Sequence, residues 1–313
     1  MSSALQEEAT TERREAERSQ GSRVDQQFTL PDGRKLGYDD FGPLDGKPLL
    51  YFHGTPGSRR DIEFILPDRR RFTGKSGIRI IAVDRPGLGL SDFQEDRTIC
   101  KWPADVEALA DGLGIDRFSV LGYSGGSPYA AACALMMPER LNSVGIVSGV
   151  APFTEDGLTE GINKNNVAFL YLSRDKPWLA RMLIRFMGLT ARFAPKRVGA
   201  QAMASLPEPD REMMARPYIA RGFARDVAEA TRSGPRGAQL DSRLIVTPWD
   251  IPIGKITMPV KLWHGGNDHN APAAMGRYME RTIPNSDIQI YEGEGHISLI
   301  VKHIKGIIHR LVD

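Results

Sequence analysis

"VLGYSGGSPYAAA" (residues 120–132) sets one serine among near glycines, after an apolar run and before an alanine-rich one. A chain that crowds small residues around a single hydroxyl is making a tight strand-to-helix turn, clearing space around a nucleophile, or both. Gly122-Tyr123-Ser124-Gly125-Gly126 fits the pattern G-x-S-x-G, in which the serine sits on a sharp turn and its neighbours two before and two after must lack colliding side chains. Such a turn holds the hydroxyl at the start of the following helix, where backbone N–H groups and the helix dipole favour developing negative charge. With 32 glycines in 313 residues the motif alone is a modest signal, and its surroundings have to decide.

The surroundings alternate. Residues 48–54, 78–87, 118–124 and 141–149 read as buried strands. Between the second and third, Ile99, Trp102, Val106, Leu109, Ala110 and Leu113 recur at helical spacing. Strands alternating with helices predict an α/β fold with a mostly parallel central sheet flanked by helices. From about Phe153 the rhythm breaks into helical segments, and it resumes with a strand at 260–268, a helix at 272–283, a strand at 288–296 and a terminal helix. The expected division is a disordered or loosely helical tail (1–27), a core in two parts (28–152 and 237–313) and a helical insertion (153–236). Within the insertion Trp178, Leu179, Met182, Leu183, Phe186 and Met187 share a face opposite Arg181 and Arg185, a stripe expected to pack into the core.

Lys and Arg number 41 against 39 Asp and Glu, a net charge of +2, which gives no reason to expect nucleic acid or a membrane as partner. Two cysteines cannot build a disulfide framework and fit a reducing compartment. The first two dozen residues lack the apolar segment of a secretory signal, and no apolar run has the length of a membrane span, so a cytoplasmic location is expected. No cofactor is expected, because "DRPGLGLSD" (84–92) lacks the third glycine of a dinucleotide loop. No metal is expected either, because His264, Asp268 and His269 form no zinc pattern and H-E-x-x-H is absent.

A serine hydroxyl is a poor nucleophile unless a base takes its proton and a carboxylate orients that base. His296, in "EGEGHISL", and Asp268, in "WHGGNDHN", each follow a predicted strand, and reactive groups in parallel sheets gather at those strand ends. The order Ser124, Asp268, His296 is the one this architecture uses. His269, His303 and His309 are expected to lie apart from the chemistry, and His53 to brace its loop.

"HGTPGS", "DRPGLGLS", "GYSGGS" and the paired "GGND" and "GEGH" loops, in that order, make the chain resemble the α/β-hydrolase superfamily in its serine esterase and proline-iminopeptidase-like branch, over residues 28–310. The resemblance implies a Ser-acid-His triad, a helical cap over the site in the place of the insertion, and an oxyanion hole from the backbone N–H groups of Gly125 and, by match to HG-x-P, Thr55. His53 and Gly54 would support that loop. The expected activity is hydrolysis of a small-molecule carboxylic ester through an acyl-enzyme. The alternatives are a proline-iminopeptidase-like aminopeptidase, a C–C bond hydrolase with the same triad, and a non-catalytic ligand-binding member. An aminopeptidase would need cap carboxylates for a substrate ammonium; between residues 152 and 250 Lys and Arg outnumber Asp and Glu by 15 to 11, which does not favour one, though a few local carboxylates would suffice.

Overall fold

The computed structural model describes residues 22–203 and 206–312. Eight strands form one sheet in the order β1-β2-β4-β3-β5-β6-β7-β8. They are β1 (Arg23–Thr29), β2 (Lys35–Phe41), β3 (Lys47–Phe52), β4 (Ile78–Val83), β5 (Phe118–Tyr123), β6 (Leu141–Val147), β7 (Val260–Gly265) and β8 (Ser286–Tyr291). β2 pairs antiparallel with β1 and β4, and every other pairing is parallel. Parallel strands end on the same edge, so loops far apart in sequence meet there.

β1 begins at Arg23, earlier than the expected boundary near Phe28, so residues 23–27 are strand and not tail. β1 is an exposed edge strand with a break in register after Arg23. Polar side chains disguise it, and Arg23 anchors it through a two-pronged bond to Asp40 of β2. The remainder of the expected tail, residues 1–21, lies outside the described residues.

Both faces of the sheet are covered, which is why its central strands read as continuous apolar runs. Period-two alternation assigns the side chains. Leu50, Phe52, Ile81, Val83 and Val120 pack with Trp102 and Val106 of α3 (Trp102–Gly112), Tyr129 of α4 (Ser127–Met136) and Met275 of α11 (Ala273–Thr282). Leu49, Tyr51, Ile80, Ala82 and Leu121 pack on the other side with Ile62 of α1 (Asp61–Ile65), Phe72 of α2 (Arg69–Ser76) and Ile300 and Ile304 of α12 (His296–Val312).

Six helices lie between β6 and β7: α5 (Lys164–Asp175), α6 (Pro177–Phe193), α7 (Pro195–Met203), α8 (Glu208–Met214), α9 (Pro217–Ala230) and α10 (Arg236–Val246). α9 is tied to the loop after β3, where Asp226 accepts from the Ser58 N–H and hydroxyl and Glu229 accepts from the buried Arg59. The stripe on α6 corrects the sequence reading. Trp178, Met182, Leu183 and Phe186 face outward, and the buried side is Ala180, Ile184, Gly188 and Ala191. Small residues let this helix approach its neighbours closely, and periodicity alone does not say which apolar face turns inward. No helix among the described residues is long and apolar enough to cross a membrane.

Candidate active site

β5 stops at Tyr123, a single 3₁₀ turn covers Ser124–Gly126, and α4 begins at Ser127. Ser124 sits at φ +52°, in the left-handed region that costs a residue with a side chain about 1–2 kcal/mol. The turn is tight enough that a Cβ on Gly126 would lie 2.3 Å from the Phe52 carbonyl oxygen. That closeness supplies the steric reason for the flanking glycine.

The three residues singled out as a triad meet at the C-terminal edge of the sheet. Nε2 of His296 lies 2.9 Å from Ser124 Oγ, and its Nδ1 lies 2.7 Å from Asp268 Oδ2. The other oxygen of Asp268 accepts the Asn270 and Ala271 backbone N–H groups, each at 2.8 Å. With the carboxylate held, the imidazole carries its proton on Nδ1 and offers Nε2 to the serine. Burial disfavours the imidazolium of His296, but the charge and hydrogen bond of Asp268, with the charge of Asp210, together outweigh it and raise the pKa above 6.5. Burial likewise opposes the Asp268 anion, and His296 overrides it, so the carboxyl lies below its ordinary range. His264 stays beneath the Asp268 loop, 2.6 Å from the Ala271 carbonyl oxygen, and burial lowers its pKa.

His296 is the first residue of α12 rather than a loop residue, because β8 ends at Tyr291. The start of that helix is capped by Asp210 of α8, whose carboxylate accepts the N–H groups of His296, Ile297 and Ser298, each at 2.9 Å. Three such bonds satisfy donors that a helix start leaves orphaned. The cap comes from 86 residues upstream, and no local sequence signal announces it.

Thr55 and Gly125 stand beside Ser124 and line the same cavity. Their loops are in contact, since a Cβ on Gly125 would meet Thr55 Oγ1 at 2.2 Å. The Thr55 hydroxyl donates to Asp241 Oδ2 at 2.5 Å and accepts from Arg85 Nη2 at 2.9 Å. Arg85 also donates to the carbonyls of His53 and Gly54, at 2.6 and 2.8 Å, and to both oxygens of Asp241. Arg97 and the Tyr129 hydroxyl complete the set around Asp241. Asp241 is wholly buried, which opposes its charge, but Arg85 and Arg97 hold its carboxyl well below the usual range. His53 lies under this loop with Nδ1 2.8 Å from the Gly54 oxygen and Nε2 accepting the Arg85 N–H. Burial and then Arg85 push its pKa well down, so it is neutral.

The cavity over Ser124 measures about 260 Å³. Its lining is apolar at Phe64, Val150, Phe153, Phe223 and Ile245 and carries the carboxyl groups of Asp61 and Asp226. Asp61 Oδ2 accepts from the Tyr51 hydroxyl and the Gly54 N–H, at 3.0 and 3.1 Å, while its buried Oδ1 has no partner. Burial raises the pKa of Asp61 to about 7 and that of Asp226 well above its usual range. Among the described residues no three His, Cys, Asp or Glu side chains are grouped to hold a metal ion.

A mostly parallel sheet flanked by helices, with a serine on a strained strand-to-helix turn beside a histidine and a carboxylate, defines a class of protein, and comparison places the chain in it. The family model described as "alpha/beta hydrolase fold" matches residues 47–303, and the chain belongs to that family. It is 35% identical to a non-heme chloroperoxidase of Streptomyces lividans over 126 residues, 40% of this chain and 44% of the relative. It is 33% identical to a proline iminopeptidase of Neisseria gonorrhoeae over 110 residues, 34% of each. The chain thus matches less than half the length of either relative. An esterase from Rhodococcus sp. ECU1013 superposes with a TM-score of 0.63 at 20% identity, covering 91% of this chain and 98% of its own, a likeness of fold.

Proposed function

We propose that the chain is a serine hydrolase that cleaves a carboxylic ester of a small molecule through an acyl-enzyme. The observation that carries this reading is the 2.9 Å separation of Ser124 Oγ and His296 Nε2, with Asp268 on the far side of the ring. Ser124 Oγ attacks the ester carbonyl carbon as its proton passes to Nε2, and the Asp268 carboxylate stabilises the imidazolium. The carbonyl electron pair moves onto oxygen, which the backbone N–H groups of Gly125 and Thr55 receive. When the C=O re-forms, the alkoxide leaves with the proton from His296. A water molecule then repeats the sequence on the acyl-serine and releases the acid. The cavity's small volume fits short acyl or alcohol groups. Wild type is expected to hydrolyse short p-nitrophenyl esters, and Ser124→Ala to lose that activity. Equal rates in both would refute the reading, including its exclusion of a mere ligand-binding protein.

One observation favours an aminopeptidase as the second reading. Asp61 of α1 and Asp226 of the insertion both line the cavity that holds Ser124, and Asp61 Oδ1 has no partner; the overall charge of residues 152–250 gave no hint of Asp226. A substrate ammonium would satisfy that oxygen. Comparing proline β-naphthylamide with p-nitrophenyl butyrate decides between the readings: faster turnover of the amide would displace the esterase.

A further inference from the structure

Helix α6 has two apolar faces, and among the described residues only one is covered. The inner face is built from small residues, and Gly188 approaches so closely that a Cβ there would lie 2.2 Å from Thr231 Oγ1. The outer face carries the bulk: Trp178, Phe186 and Phe193 are 67%, 68% and 75% exposed, with Met182 and Leu189 between them. At 3.6 residues per turn these five fall within about 80° of arc, and Arg181, Arg185 and Arg192 occupy roughly the next 60°, with Arg181 Nε also donating to Gln239 Oε1 of α10 at 3.0 Å. From residue 176 to 203 the chain has six Lys and Arg and no Asp or Glu. Three of the six, Arg181, Arg185 and Arg192, lie on α6 itself, so a net charge of +2 for the whole chain conceals a basic and apolar strip there.

We infer that this face of α6 docks on an anionic lipid surface, with the aromatic side chains entering the headgroup layer and the bordering arginines meeting its phosphates. Bulky apolar residues beside a basic edge are the composition of a helix that lies in a membrane interface. Arginine stems can lie along the apolar boundary while their guanidinium groups stay with the phosphates. A second copy is the weaker occupant, because residues 176–203 contain no Asp or Glu to pair with the arginines of a copy. The chain's own residues 1–21 offer only Met1 and Leu5 as large apolar side chains, too little to cover the strip. This inference departs from the absence of a membrane partner expected from overall charge, and it does not depend on the reaction at Ser124.

Co-sedimentation of the full chain with vesicles tests it. Wild type should pellet with vesicles of phosphatidylglycerol and phosphatidylcholine in equal parts, much less with phosphatidylcholine alone, and should be released by high salt. Replacing Trp178, Phe186 and Phe193 together by serine should weaken binding by at least about tenfold. Replacing Arg181, Arg185 and Arg192 by glutamine should weaken it by about fivefold per charge and erase the preference for anionic lipid. Circular-dichroism melting checks that these variants remain folded. Wild type left in the supernatant with anionic vesicles would overturn the inference, as would binding indifferent to the aromatic replacements. A concentration-dependent dimer that the serine variant abolishes, without vesicle binding, would assign the face to a second copy and overturn it equally.

Discussion

The hydroxyl of Thr55 and the carboxylate of Asp241 meet at 2.5 Å across 186 residues of sequence. A residue of α10, at the end of the helical insertion, therefore fixes the loop that carries Thr55 into the cavity of Ser124. Arg85 binds the same carboxylate and two carbonyls of that loop, so loop, sheet and insertion share one buried ionic cluster.

Asp241→Ala leaves Arg85 and Arg97 buried without their counter-charge. Removing one member of a buried ion pair costs about 3–5 kcal/mol, and thermal or urea unfolding should show a loss of that size. Asp241→Asn, which keeps an acceptor for the Thr55 hydroxyl, should lose less stability than alanine. An alanine variant as stable as wild type would show that the cluster does not hold the loop.

Gly125→Ala probes the same loop from the other side. The new methyl would collide with Oγ1 and Cβ of Thr55, at 2.2 and 2.6 Å, and must push the Thr55 and Gly125 loops apart. On a p-nitrophenyl ester kcat should fall by about 10²–10³-fold, the usual cost of losing an oxyanion donor. An unchanged kcat would separate Thr55 from the reaction.

The acid limb of the pH–rate profile reports His296, which must be neutral to accept the serine proton. Because Asp268 raises its pKa, kcat/KM for the free enzyme should fall as pH drops through a value above 6.5. Asp268→Asn removes that influence, so the limb should move to lower pH while kcat falls by on the order of 10⁴-fold. An acid limb that stays in place in the variant would contradict the pairing.

Asp61 predicts a trade between stability and recognition. Its folded-state pKa is raised to about 7 by burial, whereas an unfolded aspartate titrates near ~3.9. The folded protein therefore binds the extra proton between these values, and the stability it confers is lost as pH rises through about 7. Asp61→Asn has no such loss, so its melting temperature should gain on wild type from pH ~5 to ~8. If the carboxyl pair holds a substrate ammonium, the same variant should lose amine-bearing substrates and keep simple esters. A wild type and variant with parallel stability profiles would deny the raised pKa.

The parts of this molecule that were legible in the sequence are those encoded locally. The Ser124 turn needs small residues within two positions, and Asp268 and His296 each follow an apolar strand whose end can be read directly. Parallel pairing then brings those ends to one edge. Asp210, Asp226 and Asp241 gave no comparable signal, because each acts through a contact with a loop or helix far along the chain. Asp61 was hidden for a different reason: its role depends on burial and an orphaned oxygen, which no spacing reveals. On α6 the period was readable but its sense was not, since Ala180, Gly188 and Ala191 pack more closely than the large residues opposite them. The start of β1 was read too late, near Phe28, because an edge strand with mostly exposed side chains shows little apolar alternation.

The central claim is that the Ser124 oxygen is the atom that bonds to the substrate. Treating the protein with a fluorophosphonate and mapping the adduct by mass spectrometry tests this directly. The account expects a single modified peptide, with the label on residue 124, formed rapidly by wild type and at least about a thousandfold more slowly by His296→Ala. Label on a different side chain, or equal rates with and without the imidazole, would contradict it.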